Sequence, residues 1–301
     1  MTRLQADSLL LVVALIWGSA FVAQNLGMAS IGPYAFTGAR FLLGALVVLP
    51  LAWRERRRAT QALGKRDLGI IAGLGGLLFL GAAFQQIGIA ATTVTNAGFL
   101  TALYVPLVPF LMWSVRRDPP HWSVWPASLG CLFGTWLLTG AGRLDINSGD
   151  LWVIASALFW AVHLLYIGHV ADRLAAPFTV ACGQFFVVGV AGMGAAVVAE
   201  PLSLAAFSAA GAAILYTGLF SVGIAFTGQV VGQRCTPPAD AAIILSSETV
   251  FAALFGAWLL GERLTPTAFA GCALILFSVL AVQLLPLWGG KREDGREKGA
   301  T

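Results

Sequence analysis

Charge is what this sequence has least of. Charged residues make up 11% of its 301 positions, against roughly 25% in ordinary soluble domains, and mean hydropathy is +0.83. These values exclude a soluble globular chain. Cysteine is also scarce: Cys131, Cys182, Cys235 and Cys272 stand far apart, with no CxxC pair and no histidine at metal-ligand spacing. Neither a disulfide frame nor a metal site is expected; Cys131 and Cys272, each preceded by glycine, read as small packing residues. No GxxxxGK[ST] sequence is present, so ATP is not the direct drive, and no cofactor is expected. The apolar runs contain no HExxH, no Ser/His/Asp arrangement and no paired carboxylates, which disfavours an intramembrane enzyme.

What the chain has in abundance is apolar length. Ten segments can be drawn, at 8–27, 33–53, 68–89, 94–115, 122–139, 149–170, 177–199, 209–230, 238–260 and 266–286. Segments of about 20 residues at 1.5 Å rise cross a hydrocarbon core roughly 30 Å thick. The runs are too long and too continuously apolar for barrel strands. The first exceeds the usual length of a signal-peptide core and is read as a retained helix. The expected fold class is an all-α membrane protein of ten transmembrane helices, with the lipid bilayer as its surroundings.

Charge then orients the bundle. One side carries Arg3, Arg54, Arg56, Arg57, Arg58, Lys65, Arg66, Arg116, Arg117, Arg173, Arg234, Lys291, Arg292, Arg296 and Lys298, fifteen in all, while the other holds only Arg143 and Arg263. This asymmetry predicts cytoplasmic N- and C-termini in a cell inner membrane. The basic clusters read as topology signals beside anionic headgroups, and no nucleic-acid partner is expected. The tail 289–301, mixed in charge and rich in glycine, is expected to be disordered and cytoplasmic.

The chain also reads twice. Asp7 and Trp17 return as Asp150 and Trp160, Pro33-Tyr34 and Phe41 as Pro177-Phe178 and Phe185, Gly81 to Phe84 as Gly223 to Phe226, Asn96-Ala97 as Asp240-Ala241, and Gly130-Cys131 as Gly271-Cys272. Two units follow, 1–146 and 147–288. Five spans per unit place the second upside down relative to the first, the architecture of many secondary transporters with a central cavity between halves. Such a duplication makes a monomer sufficient and leaves a dimer open.

The run Leu15 to Phe21, and above all Glu248 to Leu254 leading into Leu259-Leu260-Gly261-Glu262-Arg263-Leu264-Thr265, resembles the repeated motifs of the EamA family in the drug/metabolite transporter superfamily. One departure is Thr249, where that family usually has proline; the matching first-half turn is Arg117-Asp118. The resemblance implies a ten-helix basket that moves small metabolites across the inner membrane, with amino-acid exporters among its members.

Ionisable groups inside a bilayer are costly, by roughly 2.5 to 3.5 kcal/mol on insertion scales, and need a reason. Arg40 reads as a structural anchor that snorkels outward or meets a carboxyl group. Glu248, ten residues into the ninth segment, must face the interior, as a proton-coupling carboxyl, an anchor for a substrate ammonium, or a buried acid bonded to a neighbouring helix. His163, one helical step from Trp160, is a candidate cavity residue or a satisfied interhelical bond. Trp17 and Trp160 are mid-span symmetry mates that suit an aromatic wall or simple packing. Gln24, Gln85, Gln86, Tyr104, Thr227, Ser246 and Ser247 supply a polar lining, of which about half is expected to face the path. Asn96 and Asp240 read as structural helix-terminal caps. Pro106 and Pro109 should kink the fourth span, and the absence of proline at Val250 and Ala253 predicts that spans four and nine distort unequally.

The expected function is export of amino acids or related zwitterionic or neutral metabolites by alternating access, with protons as a further solute. Nucleosides, sugars or drug-like cations in either direction form the alternative, and a channel stands behind both. The topology makes a first prediction. Alkaline phosphatase fused after Ile146 should be active, and fused after Arg58 or at the C-terminus inactive, with green fluorescent protein giving the reverse pattern.

Overall fold

The computed structural model describes residues 1–59, 62–91, 94–138, 147–261 and 263–297, and all regular structure among them is helical. The order is α1 (Arg3–Met28), α2 (Pro33–Arg58), α3 (Lys65–Ala91), α4 (Val94–Thr101), α5 (Tyr104–Ser114), α6 (Val124–Leu138), α7 (Ser148–Arg173), α8 (Pro177–Ala199), α9 (Leu204–Ala209) and α10 (Gly211–Tyr216). A π-helical segment, Thr217–Phe226, then leads to α11 (Thr227–Gly232), α12 (Pro238–Leu245), α13 (Glu248–Leu260) and α14 (Pro266–Glu297). Nine helical stretches among the described residues are long and apolar enough to cross a membrane. The expected fifth span is represented by α6, 15 residues long.

Local sequence explains where these helices start. Thr2 with Gln5 and Asn147 with Asp150 form reciprocal capping boxes at the first helix of each half, satisfying N–H groups that have no intrahelical acceptor. Pro33 and Pro177 open α2 and α8, where the missing proline N–H is not needed. The tail departs from expectation: α14 stays helical to Glu297. A long apolar helix provides the nucleus, and the Lys, Arg and Glu that follow propagate it well. Residues 298–301, Glu262 and Arg143 lie outside the described residues.

The halves meet about a pseudo-two-fold axis. α2 packs on its repeat mate α8, α6 on its mate α14, and α3 lies along α7 while α1 contacts the π segment. At the α2–α8 crossing a Cβ on Gly192 would lie 2.8 Å from the Cα of Gly38, so the backbones touch.

Each of these two helices is also tied to the far end of the other. Glu200, just past α8, accepts from the N–H groups of Tyr34 (2.7 Å) and Ala35 (2.9 Å) at the start of α2. Glu55, near the end of α2, accepts from those of Phe178 (3.2 Å) and Thr179 (2.7 Å) and from the Thr179 hydroxyl at the start of α8. Both carboxylates sit against the positive end of a helix dipole. At the Glu55 end, the bundle also carries the pairs Arg3–Asp240, Arg173–Asp67 and Arg234–Asp172.

Spans four and nine are each split in two, and the splits are alike, which corrects the expectation of unequal distortion. Ala102-Leu103 separates α4 from α5, and Ser246-Ser247 separates α12 from α13. The tightened turns match bond for bond: Leu103 N–H to Leu100 O (3.3 Å) and Val105 N–H to Ala102 O (3.0 Å) in one, Ser247 N–H to Ile244 O (3.2 Å) and Thr249 N–H to Ser246 O (3.2 Å) in the other. Pro106 sits in the first turn of α5, where its lost N–H has little effect. In span nine, Ser246, Ser247 and Thr249 turn their hydroxyls back onto the carbonyls of Ile243, Ile244 and Ser246, a bond pattern that bends helices without proline.

Because the two carboxylate caps are symmetry-related, removing either should cost the same. Glu55→Ala and Glu200→Ala are each expected to destabilise the protein by about 1–3 kcal/mol, as for a lost charge-assisted hydrogen bond, read as lowered unfolding midpoints in detergent.

Candidate functional site: a central cavity

A cavity opens where the two breaks face each other. Trp17, Phe21 and Gln24 reach it from one stripe of α1, spaced four and three residues apart as one helical face requires. Trp160 and Leu164 do the same from α7, with Arg40 from α2, Gln85 from α3, Thr101 and Tyr104 from the ends of α4 and α5, Ser221 and Phe226 from the π segment, Gln229 from α11, Leu245 from α12 and Glu248 from α13. It holds about 580 Å³ of unfilled space, of which the centre of a water molecule can occupy about 60 Å³. The smaller figure measures the room for a solute, equivalent to roughly four to six waters.

Arg40 is 3% exposed and Glu248 8%, and the two make no ion pair with each other or with another described residue. Arg40 donates through Nη1 to Gln24 Oε1 (2.6 Å), leaves Nε without a partner among the described residues, and lies over the rings of Phe36 and Phe41 at 5.4 and 5.3 Å. It therefore does more than anchor: the guanidinium lines the cavity. Glu248 is the first residue of α13, so its carboxylate sits at the positive end of a half-helix. Its repeat mate Tyr104 holds the same place at the start of α5.

The aromatic wall has a third member. Phe226 lies between the mates, its ring centroid 4.6 Å from Trp17 and 5.9 Å from Trp160, on which it is stacked. Trp17 donates its indole N–H to the carbonyl of Ser221 (3.2 Å), satisfying a π-segment backbone group in the interior. The Trp160 indole nitrogen has no partner among the described residues. Gln85 donates to the Thr101 hydroxyl (3.1 Å).

Of the expected lining, Trp17, Gln24, Gln85, Tyr104, Trp160 and Glu248 converge on this cavity, while Gln86, His163, Thr227 and Ser247 do not line it. Gln86 is buried with its amide unpartnered among the described residues. His163 is buried against Gln184 (2.8 Å), as an interhelical bond. Thr227 is buried beside the cavity, and Ser247 spends its hydroxyl on the break. Asp240 makes no side-chain cap and instead pairs with Arg3, because Pro237 and Pro238 already open α12; the Asn96 side chain lies outside the described residues. Pro109 is buried in α5, and Pro106 lines a separate apolar groove. Phe21 and Leu164 could have been found by extending the stripes of Trp17 and Trp160. Ser221 and Phe226 could not, since a π turn shifts the register that periodicity relies on.

A bundle of membrane-spanning helices in two inverted halves, closing on a polar internal cavity, is the architecture of many multi-pass membrane transporters. The particular family follows from its sequence: residues 4–140 and again 147–284 match the EamA-like transporter family, and the chain belongs to it. It is 34% identical over 186 residues to an uncharacterized transporter of Archaeoglobus fulgidus, covering 62% of this chain and 56% of that protein. It is 26% identical to each of the Bacillus subtilis uncharacterized transporters YoaV and YwfM, over 50% and 52% of this chain and 52% of each relative. The matches thus span about half the length of these relatives. One crystal structure superposes with a TM-score of 0.78 at 18% identity, over 93% of this chain and 98% of its own, a likeness of fold alone.

Gly18 is where α1 and α13 touch beneath Trp17: a Cβ there would lie 2.8 Å from both the Ala252 nitrogen and the Glu248 carbonyl oxygen. Gly18→Val must push these helices apart beside the span-nine break. It is expected to cost about 1–3 kcal/mol in detergent unfolding, as overpacking does, and to reduce solute flux in proteoliposomes.

Proposed function

We propose that the chain is a secondary transporter of small amino-acid-like zwitterions, working by alternating access between its halves. The observation that carries this reading is the pair Arg40 and Glu248, a guanidinium and a carboxyl group buried in one cavity and not paired with each other. An isolated buried charge is destabilising by several kcal/mol. A solute bringing a carboxylate to Arg40 and an ammonium to Glu248 offsets both costs at once. Multiply charged phosphates fit poorly beside Glu248, and the room available favours a small solute.

A neutral polar solute is the second reading, favoured by the uncharged groups Gln24, Gln85, Thr101 and Gln229 around the same space. Export, an inner-membrane location with cytoplasmic termini, and action as a monomer complete the proposal. The first rests on family analogy, the second on basic-residue asymmetry and the third on the duplication. Proton coupling, where present, falls to Glu248, because His163 does not line the cavity.

Counterflow of labelled amino acids, nucleosides and sugars in proteoliposomes tests this. Saturable exchange of an amino acid is expected, with its deaminated and decarboxylated analogues competing weakly. Arg40→Gln should raise the half-saturating concentration for the amino acid by about 10- to 100-fold while sparing the decarboxylated analogue, and Glu248→Gln should do the converse. Linear, unsaturable flux would indicate a channel. Wild-type saturation and pH dependence in Glu248→Gln would remove that residue from the mechanism.

A further inference from the structure

A second concavity lies outside the bundle, against the span-four break. Leu103, Pro106, Leu107 and Phe110 form one wall and Trp125, Ser128, Leu129 and Ile154 the other, bounding about 930 Å³ of unfilled space, of which the centre of a water molecule can occupy about 480 Å³. Phe110, Trp125, Leu129 and Ile154 are substantially exposed, so the groove faces the surroundings of the bundle. It ends near the side that bears the N-terminus. Trp113, edge-on to Trp125 at a centroid distance of 6.3 Å, lies just beyond Phe110 toward that end, and α5 stops one residue later.

Arg116 and Arg117 follow after Val115, both exposed. Four other basic side chains on this side are engaged, Arg3 with Asp7 and Asp240, Arg173 with Asp67, Arg234 with Asp172, and Arg57 over Trp53; Arg54, Arg58, Lys65 and Arg66 also make no ion pair with a described residue but line no such groove. Arg116 and Arg117 make no ion pair with any described residue; Asp118 lies next in sequence, leaving the turn net positive. Arg117 moreover holds a left-handed backbone, φ 54°, at a helix end where glycine is the usual occupant.

The geometry points to a bound phospholipid of one kind: an anionic lipid whose phosphate sits on Arg116 and Arg117 and whose acyl chain fills the groove down to Leu103. Charge complementarity selects the headgroup, since each basic residue at a membrane surface favours anionic lipid and two act together here. Depth selects the chain. From Arg116 to Leu103 is 13 residues, about 20 Å of helical rise, enough to run from the headgroup level past the middle of a bilayer leaflet. Leu103 belongs to the break itself, so the seated chain touches the element that positions Tyr104.

The test uses the purified full chain in neutral detergent, titrated with phosphatidylglycerol, phosphatidylcholine of matched chains, or glycerol phosphate, with retained molecules counted by native mass spectrometry. One phosphatidylglycerol should be retained at concentrations roughly tenfold below phosphatidylcholine, and glycerol phosphate not at all. The variant Arg116→Gln/Arg117→Gln should lose the preference and hold both lipids equally. Leu129→Trp, which fills the groove and leaves both arginines, should retain neither. Equal retention of the two lipids by the wild type overturns the proposal, as does a preference that survives the double substitution. Undiminished binding in Leu129→Trp, or retention of glycerol phosphate, overturns it equally.

Discussion

Every backbone polar group within a bilayer must find its partner inside the protein, because hydrocarbon offers none. This fold interrupts its helices in the interior under that constraint. Both breaks close with tightened turns, so little of the backbone is left bare. Span nine adds three hydroxyl bonds to its own carbonyls, and the π segment shares the Ser221 carbonyl with the Trp17 indole. At the bundle ends, Glu55 and Glu200 take up N–H groups that α8 and α2 cannot satisfy internally. The span-four break is closed by backbone turns alone, whereas span nine, the π segment and the two helix starts each draw on a specific side chain.

That bookkeeping shapes the division of labour in the bundle. α2 and α8 touch backbone to backbone and cap each other at opposite ends, which makes them a post joining the two halves. The broken spans lie around the cavity instead, with Tyr104 and Glu248 each at the first residue of a half-helix. A solute between them contacts both breaks at once. On the proposed function, this is how occupancy reaches the two gates: a charge brought to Glu248 alters the balance at the start of α13, while the capped post holds the halves in register.

Much of this was legible in the sequence, and the reasons are physical. Apolar length yields spans and repeated residues yield pairing, because lipid leaves few alternatives to a helix. Trp17, Trp160 and Glu248 stood out because bulky indoles and a lone acid are conspicuous in so apolar a chain, and all three line the cavity. Proline proved a poor guide to the breaks. It marks span four and not span nine, yet serine and threonine produce the same turn by another chemistry. The capping roles of Glu55 and Glu200 were hidden for a different reason: each acts on an element more than a hundred residues away, beyond any local pattern.

The instructive case is Arg40. Judged by depth it is a snorkelling residue, since the outer helix start is only about 10 Å away. Three neighbours make the difference. Gln24 holds one of its nitrogens and Phe36 and Phe41 cover its planar faces, so the guanidinium is fixed inside and cannot follow its stem to the interface. Its repeat mate, the neutral Gln184, is spent on His163 and leaves no second charge by symmetry. The duplication thus builds a nearly symmetric container, and one basic group on α2 with one acidic group on α13 give that container a direction. On the proposed function, a zwitterion in the cavity has one orientation that satisfies both groups, and reversing it places like charges together. Specificity in such a site comes as much from this repulsion as from the attraction.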